Sequence, residues 1–224
     1  VGYLPQDFSM YPGMTVYEAM DYLGVLSELD GPTRERRIPA LLQRVNLQDN
    51  SQTKVKALSG GMRRRLGMAQ AILHDPKVLI VDEPTAGLDP EERVRFRNLL
   101  CELAEDRIVL LSTHIVGDIE AACEKIAILD EGSLLFTGRT SEFVGTAANR
   151  VFTLSVPQEE LQALKESCLV TGMHTQNGSV SVRLIADDVP PPNAIPCSPT
   201  IEDAYFLCMR RSRGPRQRMG GELS

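Results

Sequence analysis

Lys77-Val78-Leu79-Ile80-Val81-Asp82-Glu83-Pro84 is the stretch on which the fold turns. Val78 to Val81 are apolar, three of them β-branched, and they lie between a lysine and two acids closed by a proline. A short apolar run of this kind reads as a buried strand of a parallel sheet. In open α/β sheets, ligands bind beyond the carboxyl ends of the strands, so a strand that stops on Asp-Glu aims both acids at a ligand. One acid can hold a metal while the other takes a proton from water. Standing alone, the pair would serve equally well to end a strand or cap a turn.

The neighbours of this strand carry further signals. Leu58-Ser59-Gly60-Gly61-Met62 lies upstream, Ala86-Gly87-Leu88-Asp89-Pro90 follows closely, and Ser112-Thr113-His114 ends the next apolar run, Ile108 to Leu111. Near the start stands Tyr3-Leu4-Pro5-Gln6. In this order and spacing the residues resemble the ATP-binding-cassette (ABC) ATPases. Gln6 matches the Q-loop, residues 58–62 the signature motif, residues 78–83 the Walker B strand, residues 86–89 the D-loop and His114 the switch histidine. The resemblance covers roughly residues 1–140.

The resemblance implies an α/β fold: a partial P-loop NTPase (ABC ATPase) domain with a helical subdomain, followed by a small α+β carboxy-terminal domain. It implies ATP and Mg²⁺ as ligands. Glu83 and His114 take the catalytic positions, Asp82 and Gln6 the metal-facing ones, and Gln6, Ser59, Gly60, Gly61 and Asp89 the nucleotide-binding ones. Ser59, Gly60 and Gly61 would cap the γ-phosphate held by an opposite subunit, and Asp89 would couple the two sites. The implied partners are a transmembrane permease subunit and a second ATPase subunit, identical or not, at the cytoplasmic face of the cell membrane. Met62 stands where glutamine is commonest, as in the exporter-like branch. The closing Ser198-Pro199-Thr200-Ile201-Glu202-Asp203-Ala204-Tyr205-Phe206 is similar to the carboxy-terminal extension of bacterial subunits that export drugs, antibiotics or lipids.

The family's phosphate-binding loop, G-x-x-x-x-G-K-[ST], has no match in these residues. None of Lys54, Lys56, Lys77, Lys125 and Lys165 follows a glycine. That loop wraps phosphates in backbone N–H groups and adds a lysine. Val1-Gly2-Tyr3-Leu4 reads as a strand already under way, so the expectation is a chain shortened before the Q-loop that by itself binds ATP poorly and hydrolyses it negligibly.

Composition limits the other classes. Hydrophobic residues make up 42% of the 224, charged residues 24%, and the net charge is −6, which offers no general case for nucleic-acid binding. No apolar run approaches the roughly 18 residues a membrane span needs, and no signal peptide is visible. The five cysteines are odd in number and lack CxxC spacing, which reads as reduced thiols. Two alternatives stay open: a soluble ABC ATPase acting on ribosomes or DNA, and a non-catalytic interaction module.

Along the chain, Thr15-Val16-Tyr17-Glu18 forms a capping box that predicts a helix to about Leu29, broken by Gly31-Pro32. A second helix is expected from Thr33 to about Val45 with Pro39 inside it, and Leu23, Leu26, Leu41, Leu42 and Val45 are assigned to the core. Ser59 starts a helix to about Leu73, with Met62, Leu66, Ala69, Ile72 and Leu73 as its buried stripe. Arg63, Arg64 and Arg65 are assigned to a solvated face or to pairing with acids. Helices over 90–104 and 116–125, a strand over 107–112 and a hairpin turning at Glu131-Gly132 follow. After Gly145 the composition changes: a strand, a short helix, a hairpin at Gln176-Asn177-Gly178, a proline-rich linker and a last helix to about Met209. The expected division is 1–145 (helical subdomain about 15–74), 150–209 and a disordered basic tail, 210–224.

Overall fold

The computed structural model describes residues 1–176, 179–186 and 189–213. The chain divides into two compact units, Val1–Ala122 and Cys123–Ser224. The division therefore precedes the hairpin at Glu131-Gly132, earlier in the chain than the expected boundary near residue 145.

The first unit opens with β1 (Gly2–Leu4), followed by α1 (Val16–Leu26). The capping box forms: Thr15 accepts from the Glu18 N–H, and Glu18 accepts from the Thr15 N–H at 2.8 Å. Helix α2 (Gly31–Arg44) begins earlier than expected, because Asp30 caps it and Pro32 sits in the first turn, where a missing N–H costs nothing. Gly31-Pro32 thus opens a helix; α1 has already stopped at Leu26. Pro39 is accepted inside α2, on its exposed side. Leu42 and Val45 are buried and Leu23 and Leu41 partly so, but Leu26, at the end of α1, is 61% exposed.

After two short 3₁₀ turns come α3 (Gly60–Ala71), β2 (Val78–Asp82), α4 (Pro90–Leu103), β3 (Ile108–Ser112) and α5 (Val116–Ala122). Strands β1, β2 and β3 form a parallel sheet in that order, with Leu4 level with Val81 and Val81 level with Leu111. Leu4, Leu79 and Val81 are fully buried, and Val109 and Leu111 pack against the same core. Side chains alternate across a sheet, so Tyr3, Ile80 and Leu110, which are register partners, share the opposite face; they are 51%, 38% and 54% exposed. The 78–83 and 107–112 strands are therefore buried on one face only among the described residues, whereas the apolar run alone predicts burial on both.

The second unit contains β4 (Lys125–Asp130), β5 (Ser133–Arg139) and α6 (Thr140–Gly145). The β4–β5 turn has Glu131 and Gly132 at φ 47° and 78°, the left-handed conformation that a tight hairpin of this kind requires. Then follow β6 (Val151–Pro157), α7 (Leu161–Ser167), β7 (Leu169–Gln176), β8 (Ser179–Ile185), β9 (Ile195–Pro196) and α8 (Ile201–Arg213). The sheet order is β7-β8-β6-β9, antiparallel. The expected turn residues Asn177 and Gly178 lie outside the described residues. Helix α8 runs on through Arg210 and Arg211 to Arg213, whose Nη2 lies 3.1 Å from Asp130, so the tail expected from residue 210 is helical at its start. The remainder, 214–224, lies outside the described residues.

Candidate functional site

Three parallel strands end side by side, and each delivers a polar residue to the same place. Gln6 lies two residues beyond β1, Asp82 closes β2 with Glu83 next, and Ser112 closes β3 two residues before His114. Glu83 is the centre of the group. Its Oε1 lies 2.8 Å from His114 Nδ1, and Gln6 Nε2 donates to its Oε2 at 3.4 Å. The Glu83 N–H donates to the Ser112 carbonyl at 3.0 Å, fixing the turn out of β2 against the end of β3. Glu83 has φ 41°, a left-handed conformation uncommon for a residue with a side chain. Strain of this sort persists only where the surroundings hold it, and here bonds from both flanking strands do so. Asp82 accepts a short hydrogen bond from the Ser112 hydroxyl.

The site is open. His114 keeps 69% of its side chain exposed and Glu83 25%. Asp82 and Gln6 present hard oxygen atoms beside a carboxylate, a donor set that suits Mg²⁺, which takes one or two protein groups and keeps the rest of its shell. Among the described residues no cluster of three or more His, Cys, Asp or Glu could cage a metal.

Ser59, Gly60 and Gly61 stand apart from this cluster at the amino end of α3. Ser59 is the N-cap and accepts from the Met62 N–H at 3.2 Å. The leading N–H groups of a helix lack intrahelical partners and carry about half a positive charge, which favours an anion. Ser59 and Gly60 are exposed, and a Cβ on Gly60 would meet nothing within 4 Å. A Cβ on Gly61 would lie 2.9 Å from Glu92 Oε2, so packing against α4 accounts for that glycine. Asp89 caps α4, accepting from the Glu92 N–H at 2.9 Å. Glu92 also pairs with Arg65 Nε at 3.2 Å. The amino ends of α3 and α4 are thereby fastened together. Among the described residues no hydrogen bond joins Ser59 or Asp89 to Gln6, Glu83 or His114.

Arg64 corrects the sequence reading. Arg63 is exposed and Arg65 pairs with an acid, as expected. Arg64 instead turns inward and donates to three main-chain carbonyls: Pro5 at 3.1 Å, Gln6 at 2.5 Å and Glu83 at 3.1 Å. One guanidinium so ties the helix of Ser59 to the segments of Gln6 and Glu83. Burial pulls its pKa below the usual value while Asp7 and Asp82 act in the other direction; an arginine so placed stays a cation. The planar fork, with five N–H donors, is what permits three partners at once. A signal for this exists in the sequence: Gly61, Arg64 and Met68 share one face of α3 at i, i+3 and i+7, and Met68 is buried. Ser112 carries no such signal: in the sequence it is only the residue two before His114, and its bonds to Asp82 and Glu83 come from the pairing of β2 with β3.

Comparison with known proteins adds to this geometry. The family model described as "ABC transporter" matches residues 1–86. An uncharacterized ABC transporter ATP-binding protein of Bacillus subtilis is 36% identical over 187 residues, covering 84% of this chain and 63% of that protein. A Nod factor export ATP-binding protein I of Ralstonia nicotianae is 37% identical over 145 residues, 64% of this chain and 45% of that protein. A probable multidrug ABC transporter ATP-binding protein of Escherichia coli is 32% identical over 222 residues, 92% of this chain and 38% of that protein. The chain spans less than two thirds of the length of each of these relatives.

Proposed function

The chain belongs to the ABC transporter ATP-binding proteins, and on that premise we propose that it supplies catalytic and coupling parts of an ATP-hydrolysing subunit that powers a membrane exporter. The observation that carries this reading is Glu83, set at the end of β2 between His114 at 2.8 Å and Gln6 at 3.4 Å. A carboxylate so placed can orient a water and take its proton. ABC ATPases bind ATP, generally with Mg²⁺, and the bound nucleotide supplies an outer phosphoryl group as the electrophile. Little covalent work falls to the protein in such a transfer; positioning and charge carry it.

Each residue then has a part. Glu83 polarises the water, and His114 holds the Glu83 carboxylate and reaches the space beside it. Asp82, steadied by Ser112, faces the cation together with Gln6. Ser59, Gly60 and Gly61 offer a helix terminus to a phosphate held by a second subunit, and Asp89 lies at the head of the neighbouring helix. These 224 residues contain no G-x-x-x-x-G-K-[ST] loop, and by themselves they are expected to bind ATP poorly and hydrolyse it negligibly. Among the described residues no helix is long and apolar enough to cross a membrane; the family resemblance implies a permease partner for the transmembrane path. A place at the inner face of the cell membrane follows from that pairing. Export is supported by Met62, by the second unit and by relatives whose names refer to multidrug and Nod factor export.

The test is hydrolysis of MgATP by the full-length gene product, wild type against Glu83→Gln. Loss of a positioned general base costs about 10²- to 10⁴-fold in turnover, with nucleotide binding retained. Normal steady-state turnover in the variant would remove Glu83 from the catalytic role.

A further inference from the structure

Two polar residues of the first unit are sealed from solvent, and they meet. Thr85 and Asp118 are each 1% exposed. The Thr85 hydroxyl donates a short hydrogen bond to Asp118 Oδ2. Among the described residues the other carboxylate oxygen, Oδ1, has no hydrogen-bond partner, and the nearest cation, Arg97 Nη1, stands off at 3.6 Å. A buried carboxylate left half-satisfied costs more than an apolar side chain of the same shape would. Packing alone therefore does not account for it.

The positions of the three residues give the reason. Thr85 lies two residues beyond Glu83, in the turn that runs to Asp89. That turn is closed by its own bonds, Ala86 N–H to the Glu83 carbonyl and Leu88 N–H to the Thr85 carbonyl. Asp118 lies four residues beyond His114 on α5, and Arg97 lies on α4, whose cap is Asp89. A single carboxylate thus touches the turn after Glu83, the helix after His114 and the helix that Asp89 starts.

We propose that Asp118 is a positioning residue: through Thr85 and Arg97 it makes the His114–Glu83 pair and the Asp89 end of α4 move as one body. This rests on the roles given above to Glu83, His114 and Asp89, but its test does not depend on hydrolysis. If Asp118 lets go, α5 is free to lift and His114 leaves Glu83. If Thr85 lets go, the turn to Asp89 loosens from the same helix.

The experiment is amide hydrogen exchange on the full chain, without nucleotide, for wild type, Thr85→Val, Thr85→Ser, Asp118→Ala and the Thr85→Val/Asp118→Ala double variant. The imidazole resonances of His114 are recorded alongside. Thr85→Val is expected to raise exchange at Glu83 and Ala86 and also at Ile115 and Asp118, by about tenfold, as local opening of one cooperative unit. Asp118→Ala should do the same, and the double variant should add little, since the two side chains form one interaction. Thr85→Ser keeps the hydroxyl and should restore wild-type exchange. The His114 signals should shift in Thr85→Val while those of His74 and His174 stay. The proposal falls if Thr85→Val loosens only its own turn, if exchange rises equally in α2, or if His114 does not respond. Should Asp118→Ala fail to fold, the valine and serine variants at position 85 decide the matter.

Discussion

Asp203→Asn is the substitution with the largest consequence that the structure allows to be worked out. Asp203 is 0% exposed and sits in the first turn of α8. It accepts from the Thr171 hydroxyl at 2.7 Å, from Arg183 Nη2 at 2.6 Å, and from the N–H and hydroxyl of Thr200 at 2.8 and 2.9 Å. Arg183 Nε touches both carboxylate oxygens, at 3.1 and 3.0 Å. An asparagine has one accepting oxygen, so either orientation of its amide turns an NH₂ group toward Nε, and Arg183 is left without its counter-ion. Arg183 keeps 27% of its side chain exposed, so stranding it costs less than in a fully buried pair, about 1.5–3 kcal/mol on the scale of hydrogen bonds to charged groups, still a large share of a small unit's stability. Burial by itself would raise the Asp203 pKa, but the bonds from Arg183, Thr200 and Thr171 together hold it below the usual carboxylate value. A carboxylate whose folded pKa is depressed contributes stability above its unfolded pKa of about 3.9 and loses it as pH falls through the lower, folded value. Urea unfolding, followed by circular dichroism and by labelling of Cys208 on α8, should therefore show a large loss for Asp203→Asn near pH 7. That loss should shrink as pH is lowered below about 4. A cost under about 1 kcal/mol, the scale of an exposed ion pair, or an equal cost at all pH values would refute the account.

Two further outcomes are expected. Arg64→Lys replaces a planar fork with a point donor that cannot serve three carbonyls, and should cost about 1–3 kcal/mol in thermal unfolding of the first unit; wild-type stability would show that the three bonds contribute nothing net. Gly2→Ala would place a Cβ 2.1 Å from the Ala71 carbonyl oxygen, a clash with backbone. It should cost about 1–3 kcal/mol, whereas Gly13→Ala, where a Cβ meets nothing within 4 Å, should be nearly silent in the same melt.

Much of the first unit was legible because its signals are local. The capping box of Thr15 and Glu18, the helix start at Ser59 and the two apolar strands depend on neighbours within four positions, and they form where the sequence places them. The sequence misleads where a residue's environment is set from far away. Leu26 has the hydropathy of a core residue, yet α1 ends on it and nothing among the described residues covers it. Gly31-Pro32 looks like a breaker, but the Asp30 cap makes it a start. Ile80 and Leu110 look buried in a parallel strand and are exposed on its second face. Boundaries slid for a related reason: α8 gains a turn past Met209, where Arg213 finds Asp130.

By itself the sequence determined the order of the motifs, and with it the family and the identity of Gln6, Asp82, Glu83 and His114 as the residues to examine. Spacing along a chain suffices for this, because parallel strands bring their carboxyl ends to one edge whatever lies between them. Only the tertiary structure decided how those residues are held. Arg64 and Glu83 are 19 positions apart, Thr85 and Asp118 are 33 apart, and Gln6 and Glu83 are 77 apart. Contacts at such distances leave no periodic trace. They depend on which side chain has been desolvated and which carbonyl or hydroxyl then faces it, and that is known only once the chain has closed on itself.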